Sequence, residues 1–404
     1  MINPKIISHI FSAASIQRWN DYPRMVELVE LDKQAHKFII AFFIAKLEND
    51  INYSHLIEAG IFEFLRRVVV TDIRPDVFRK ALQKKAPEIN AWVLSQLEPC
   101  LKDINQGSFF EKFKKYLADE SMYKKERFIL KAASYLSTRW EFSIVYQTSQ
   151  FLSDIENVKR LVEEEMEDYY ELIGVRKIAM NKKLAGVLDL SGRLRFQKRW
   201  TLTPRVPQTS VLGHMLSVAI FGYFYSLEVG ACPKRLENNF FTALFHDLPE
   251  ALTRDIISPV KYCVDELSEM ICEYEISKIQ DEILPNVPTN MQKEFSYLLG
   301  LYGNKKDEFA NRIIKNNEIK IIDNPQDLKD YNKNEDEAID GTALKQCDKL
   351  AAFIEASLSI SHGITSKELA NGKRDILKSL KVVQGVDFKS LAENIEKEFE
   401  LEKA

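Results

Sequence analysis

Apolar residues recur three and four positions apart over most of the chain. That spacing gathers them on one face of an α-helix, and it predicts helices over 32–50, 109–117, 127–141, 154–172, 210–229, 236–245, 264–284 and 342–359. Alternating runs bounded by turn residues, the mark of strands, are few, and glycine (14) and proline (13) are scarce for 404 residues. The β-branched run from Arg67 to Thr71 is short and stands where a helix passes into a loop. The expected fold class is all-α. The helix over 154–172 carries the acidic stretch Glu163-Glu164-Glu165-Met166-Glu167-Asp168 and reads as a solvated or connecting helix. Residues 303–341 are polar and read as a long loop or short exposed helices, with no chemistry of their own.

A pattern also repeats along the chain. Arg18-Trp19-x-x-x-Pro23-Arg24 returns as Arg199-Trp200-x-x-x-Pro204-Arg205, in a protein with only four tryptophans. His36 and the apolar run after it parallel His214 and its run. Ile61-Phe62-Glu63-Phe64 stands where Leu244-Phe245-His246-Asp247 stands, and Thr71-Asp72-Ile73 resembles Arg254-Asp255-Ile256. Leu130-Lys131-Ala132-Ala133-Ser134 parallels Leu344-Lys345-Gln346-Cys347-Asp348. The expected organisation is two tandem helical bundles, 1–175 and 176–404.

Composition narrows the classes of function. Fifty-six basic against 60 acidic residues leave a net charge of −4, so no global field favours nucleic acid or a membrane surface. Five cysteines, an odd number without a CxxC pair, point to reduced thiols. The first residues lack a basic-then-apolar signal, and the apolar run at 38–45 is far shorter than the ~20 residues that span a bilayer. A cytoplasmic protein is expected, with no membrane and no nucleic-acid partner.

The chemistry gathers around His246-Asp247, which ends an apolar run and is followed by Glu250. Imidazole and carboxylate together suit a divalent metal. His214 on one predicted helix and Asp348 on another supply two further ligands if the helices converge. Two nitrogens and two carboxylates leave coordination positions for water and a substrate oxygen. At these four positions the first copy reads His36, Glu63, Phe64 and Ser134, a set that cannot ligate in the same way, so that copy is expected to lack metal. Glu250, if the helix continues, projects from the same face as His246 and Asp247, within reach of an attacking water as general base.

These motifs resemble the HD-domain superfamily of metal-dependent phosphohydrolases, and most closely its bacterial 5′-deoxynucleotidases. The matching residues are Arg199-Trp200 ahead of His214, the run His246-Asp247-x-x-Glu250-x-x-x-x-Asp255, and Pro259-Val260-Lys261. The resemblance implies one divalent ion (Mn, Co, Fe, Ni, Zn or Mg) on His214, His246, Asp247 and Asp348. It implies catalytic roles for Glu250 and Asp255 and nucleotide contacts for Arg199 and Trp200; Lys261 reads equally as a cation for phosphate or as an exposed charge. Arg199, Trp200 and Asp255 also have counterparts in the first copy, Arg18, Trp19 and Asp72, which fits an anchoring role equally. One departure stands out: Gly213 occupies the place before His214 where these nucleotidases often have glutamate.

The expected activity is release of phosphate from (deoxy)nucleoside 5′-monophosphates or another phosphorylated small molecule. The alternatives are a phosphodiesterase or pyrophosphohydrolase of signalling nucleotides, or a nucleotide-responsive regulatory or scaffold protein. A homo-oligomer is compatible with all three.

Overall fold

The computed structural model describes residues 2–71, 73–254, 264 and 266–401. Its framework is helical, as the periodicity requires. The first half contains α1 (Lys5–Ser12), α2 (Glu30–Ala45), α3 (Tyr53–Val70), α4 (Pro75–Leu101), α5 (Ser108–Ala118), α6 (Lys124–Ser149), α7 (Ile155–Glu164), α8 (Ile173–Ala179) and α9 (Lys183–Arg193). The second contains α10 (Val211–Glu228), α11 (Pro233–Phe245), α12 (Glu250–Thr253), α13 (Leu267–Lys278), α14 (Thr289–Leu298), α15 (Gly341–Ser361), α16 (Lys367–Ser379) and α17 (Phe388–Leu401).

Several sequence expectations change. The β-branched run at 67–70 is the last turn of α3, which passes into a loop at Thr71 as expected; its residues pack on the helical core, which outweighs their modest strand preference. The acidic segment ends as a helix at Glu164 and tightens into a 3₁₀ turn over Glu165–Tyr169. The polar region 303–341 is built: two antiparallel ribbons, Leu301–Tyr302 with Lys305–Lys306 and Arg312–Lys315 with Glu318–Ile321, precede 3₁₀ turns. Their two- and four-residue strands are too short to show a period in sequence. The helix Val211–Glu228 is long and apolar enough to cross a bilayer by length and composition, yet 89% of that window is buried inside the protein.

α10 is the central rod. Ser210 caps it, its hydroxyl accepting from Gly213 N at 2.9 Å, and it packs against α2, α11 and α15. α11 starts at Pro233, whose missing N–H costs nothing at a helix start. An aromatic cluster joins the halves: Phe42 lies 4.7 Å from Phe241 and 5.1 Å from Phe245, and Phe245 lies 5.0 Å from Phe295 between ring centroids. One apolar core therefore runs through both halves, and the expected boundary at 175 falls within α8.

The same hydrogen-bonding skeleton occurs in each half. Arg18 N donates to Leu28 O as Arg199 N donates to Thr209 O, and Glu30 N donates to Ile16 O as Val211 N donates to Gln197 O. Trp19 Nε1 donates to Glu141 at 3.2 Å as Trp200 Nε1 donates to Glu355 at 2.9 Å. Both tryptophans have positive φ, 55° and 57°.

This skeleton corrects the pairing of His36 with His214. In the register set by those bonds, Lys33 stands where His214 stands, one turn earlier on α2. Lys33 Nζ donates to Ser134 Oγ at 2.5 Å, as His214 reaches Asp348. His36, one turn on, meets other partners: Nε2 lies 3.0 Å from Leu188 O and Nδ1 3.2 Å from Arg195 Nη2. Burial and then the Arg195 charge push its pKa down to about 3, which makes it a neutral core histidine. The apolar runs matched in sequence because a shift of three residues keeps a helix face nearly in place.

Candidate metal centre

His214 projects from the first turn of α10 and is fully buried. Its Nε2 lies 3.0 Å from Asp348 Oδ1, and its Nδ1 lies 3.3 Å from Glu355 Oε1 on the same helix, α15. His246 and Asp247 follow the last residue of α11. The chain there turns, with Leu248 N bonded to Phe245 O and Glu250 N to Asp247 O, before α12 begins at Glu250. Glu250 is thus held by a turn and not by a continuous helix; Pro249 at the head of α12 sets the break. The ligand atoms of His214, His246 and Asp348 all lie within 4.8 Å of one another, and Asp247 Oδ2 lies 3.0 Å from His246 Nε2. The four residues expected to gather do gather.

Two framework interactions fix this convergence. Arg235 of α11 makes a buried two-pronged pair with Asp340 just ahead of α15, at 2.5 and 2.8 Å, and Asn239 adds a bond to Asp340 at 2.7 Å. The helix bearing Asp348 is thereby tied to the helix leading to His246. Packing of Phe245 against Phe42 of the first half holds the end of α11.

The donor chemistry fits a cation. His246 Nδ1 lies 2.7 Å from Ala243 O, so it carries the proton and donates, leaving Nε2 with a bare lone pair. That buried Nε2 makes no hydrogen bond although a carboxylate oxygen is 3.0 Å away. Two acceptors at such range repel unless positive charge lies between them. His214 repeats the arrangement through its bond to Glu355. Burial favours neutral His214, but Glu355 and Asp348 outweigh it and hold its pKa above the usual value. Burial also opposes ionised Asp348 and Asp247. Lys345 holds the first well below the ordinary carboxylate range, and the Arg199 guanidinium helps lower the second.

The surroundings carry residues that periodicity alone does not single out. Glu355, 1% exposed, accepts from Trp200 Nε1 at 2.9 Å, Thr209 Oγ1 at 2.7 Å and His214 Nδ1 at 3.3 Å. It orients a ligand from behind, and its spacing of two helical turns from Asp348 is the signal that sequence offered. Phe309, from the polar region read as chemically silent, lies 5.6 Å from the His246 ring. Its approach needs Gly341: a Cβ there would stand 2.3 Å from Phe309 backbone. Gly213 has a comparable reason. A Cβ would lie 2.8 Å from Asp32 Oδ1, and Ser210 Oγ already bonds Asp32 at 2.5 Å, so α2 occupies the space that a glutamate before His214 would need.

Arg199 Nη1 lies 3.8 Å from Asp247 Oδ2, placing its charge at the centre. Trp200 gives its N–H to Glu355 and lays its ring against Gly372. Asp255 and Lys261 lie outside the described residues.

A family model described as an HD domain matches residues 191–377. Over that span the chain is similar to HD domains. The span includes α10, α11 and α15, and so all four ligand residues. The chain is 31% identical over 124 residues to a 5′-deoxynucleotidase of Cronobacter sakazakii, covering 29% of this chain and 59% of the relative. It is 26% identical over 124 residues to one of Photobacterium profundum, covering 29% and 62%. It is 30% identical over 125 residues to the 5′-deoxynucleotidase YfbR of Escherichia coli O1:K1 / APEC, covering 29% and 59%. The chain thus spans about three fifths of the length of these relatives.

Proposed function

We propose that this protein is a metal-dependent phosphohydrolase that releases phosphate from nucleotides, with (deoxy)nucleoside 5′-monophosphates as the substrate class. The observation that carries the reading is the buried convergence of His214, His246 and Asp348 beside Asp247, with the lone pair of His246 Nε2 unmatched. The HD-domain match and the named 5′-deoxynucleotidases support a nucleotide as substrate.

His214, His246, Asp247 and Asp348 would hold one divalent ion, which supplies Lewis acidity toward a phosphoryl oxygen and acidifies water. Glu250, positioned by its N–H bond to Asp247 O at 3.0 Å and by Gln197 Nε2 on its own carbonyl at 2.8 Å, accepts the proton of the attacking water. Arg199 offsets the charge that gathers on the equatorial oxygens in the transition state. Glu355 keeps the His214 proton on Nδ1, so that Nε2 remains the ligating atom.

The first half, in this reading, is a metal-free copy of the same helical unit. Lys33, Ser134, Glu63 and Phe64 take the ligand places, and the Lys37–Glu63 pair at 2.9 Å fills the interior. The protein should therefore bind one metal per chain.

The test is metal analysis together with phosphate release over a panel of mono-, di- and cyclic nucleotides with Mn²⁺, Co²⁺ or Mg²⁺. Release from monophosphates supports the proposal. Activity confined to diesters or pyrophosphates replaces the substrate class, and bound metal without turnover on any of them overturns the enzyme reading.

A further inference from the structure

Lys345 stands three residues before Asp348, in the second turn of α15. Its Nζ is 2.9 Å from Asp348 Oδ2, the oxygen that His214 does not approach. The ammonium also lies 4.3 Å from the centroid of the Phe309 ring, which itself rests against His246. Phe309 thus holds the ammonium itself at the edge of the ligand cluster. The Lys345 side chain is 44% exposed while that of Asp348 is 15% exposed, so the amine has a route to solvent that the ligand lacks.

Packing does not impose this posture. Lys131, at the matching place ahead of Ser134, is simply exposed on the surface. Metal binding does not call for it either, since a second cation on a ligand's free oxygen repels a divalent ion. The arrangement balances once an anion joins. Arg199 on Asp247 and Lys345 on Asp348 put one positive group beside each ligand carboxylate.

We propose that Lys345 is a contact for the phosphoryl anion of the substrate, leaving Asp348 to grip a phosphate oxygen at the metal centre. This assignment rests on the phosphohydrolase reading for its substrate but concerns phosphate binding itself.

The test compares Lys345→Met, which keeps an unbranched side chain without the charge, with Lys345→Arg, Lys131→Met and the parent. Metal content and inorganic phosphate affinity are measured on Mn²⁺-loaded protein, without turnover. Loss of one charge-assisted bond weakens phosphate binding about 10- to 100-fold. The proposal expects that loss in Lys345→Met with metal content unchanged, recovery in Lys345→Arg, and no effect in Lys131→Met. Where nucleotide hydrolysis is measurable, the same variant raises KM more than it lowers kcat. Unchanged phosphate affinity overturns the proposal, as does parent protein that binds no phosphate. Loss of metal along with phosphate also overturns it, and makes Lys345 a positioning residue for Asp348. If the parent hydrolyses no nucleotide yet binds phosphate through Lys345, the substrate reading falls and this assignment stands.

Discussion

Replacing Glu355 by glutamine keeps the shape of the side chain and removes its charge. Three donors converge on the native carboxylate: Trp200 Nε1 at 2.9 Å, Thr209 Oγ1 at 2.7 Å and His214 Nδ1 at 3.3 Å. The carboxylate stays ionised in spite of burial, because Arg205 and His214 hold its pKa far below the usual range. Glutamine has one acceptor oxygen, and its NH₂ faces a donor. A hydrogen bond to a charged group contributes about 1.5–3 kcal/mol, so losing one of the three costs about that much folding free energy. The imidazole of His214 also becomes a weaker and less fixed ligand, which lowers metal affinity about 10- to 100-fold. The assays are denaturant unfolding of the metal-free protein and metal titration against a competing chelator.

Glu141→Gln supplies the control. Glu141 holds the matching place in the first half, with Arg195 at 2.9 Å, Arg18 at 2.8 Å and Trp19 at 3.2 Å. The Arg195–Glu141 side chains are both 0% exposed, so breaking the pair costs about 3–5 kcal/mol. Metal affinity should not move, because no ligand hangs on it. If Glu355→Gln binds metal as tightly as the parent, or Glu141→Gln weakens it equally, then Glu355 does not act through His214 and the reasoning is wrong.

Asp247→Ala should lose both metal and turnover, whereas Glu250→Gln should keep metal and lose about 100-fold or more in rate; equal metal loss in both would make Glu250 a ligand. Glu30 is buried, which alone would raise its pKa, yet Arg18, Lys33 and Arg67 lower it from 4.5 to about 2. A depressed carboxylate contributes stability that is present above the unfolded pKa and lost as pH falls through the folded one. The parent should therefore lose about 3 kcal/mol relative to Glu30→Gln between pH 5 and pH 2, and parallel unfolding curves for the two proteins would refute this. Gly213→Ala should destabilise by about 1–3 kcal/mol through its 2.8 Å approach to Asp32. Adding Asp32→Ala should return part of that loss, and strict additivity of the two changes would count against the contact.

Periodicity alone dictated a helical protein, since spacing of three and four is a property of neighbours in the chain. The His246-Asp247 pair, with His214 and Asp348 on apolar helices, was legible for the same reason: ligands on helix faces leave residue types that sequence displays. The rest required three dimensions. Lys33, not His36, matches His214, because helices with similar apolar runs differ only in hydrogen-bond register. Glu355 and Lys345 look like ordinary helix charges until α10 and α15 pack together. Phe309 reaches the centre from a region whose strands are too short to show a period. Gly213 makes sense only beside Asp32 of the other half. Sequence records what each residue can do, while the partners that decide whether it does so arrive through contacts between distant segments, which leave no local pattern.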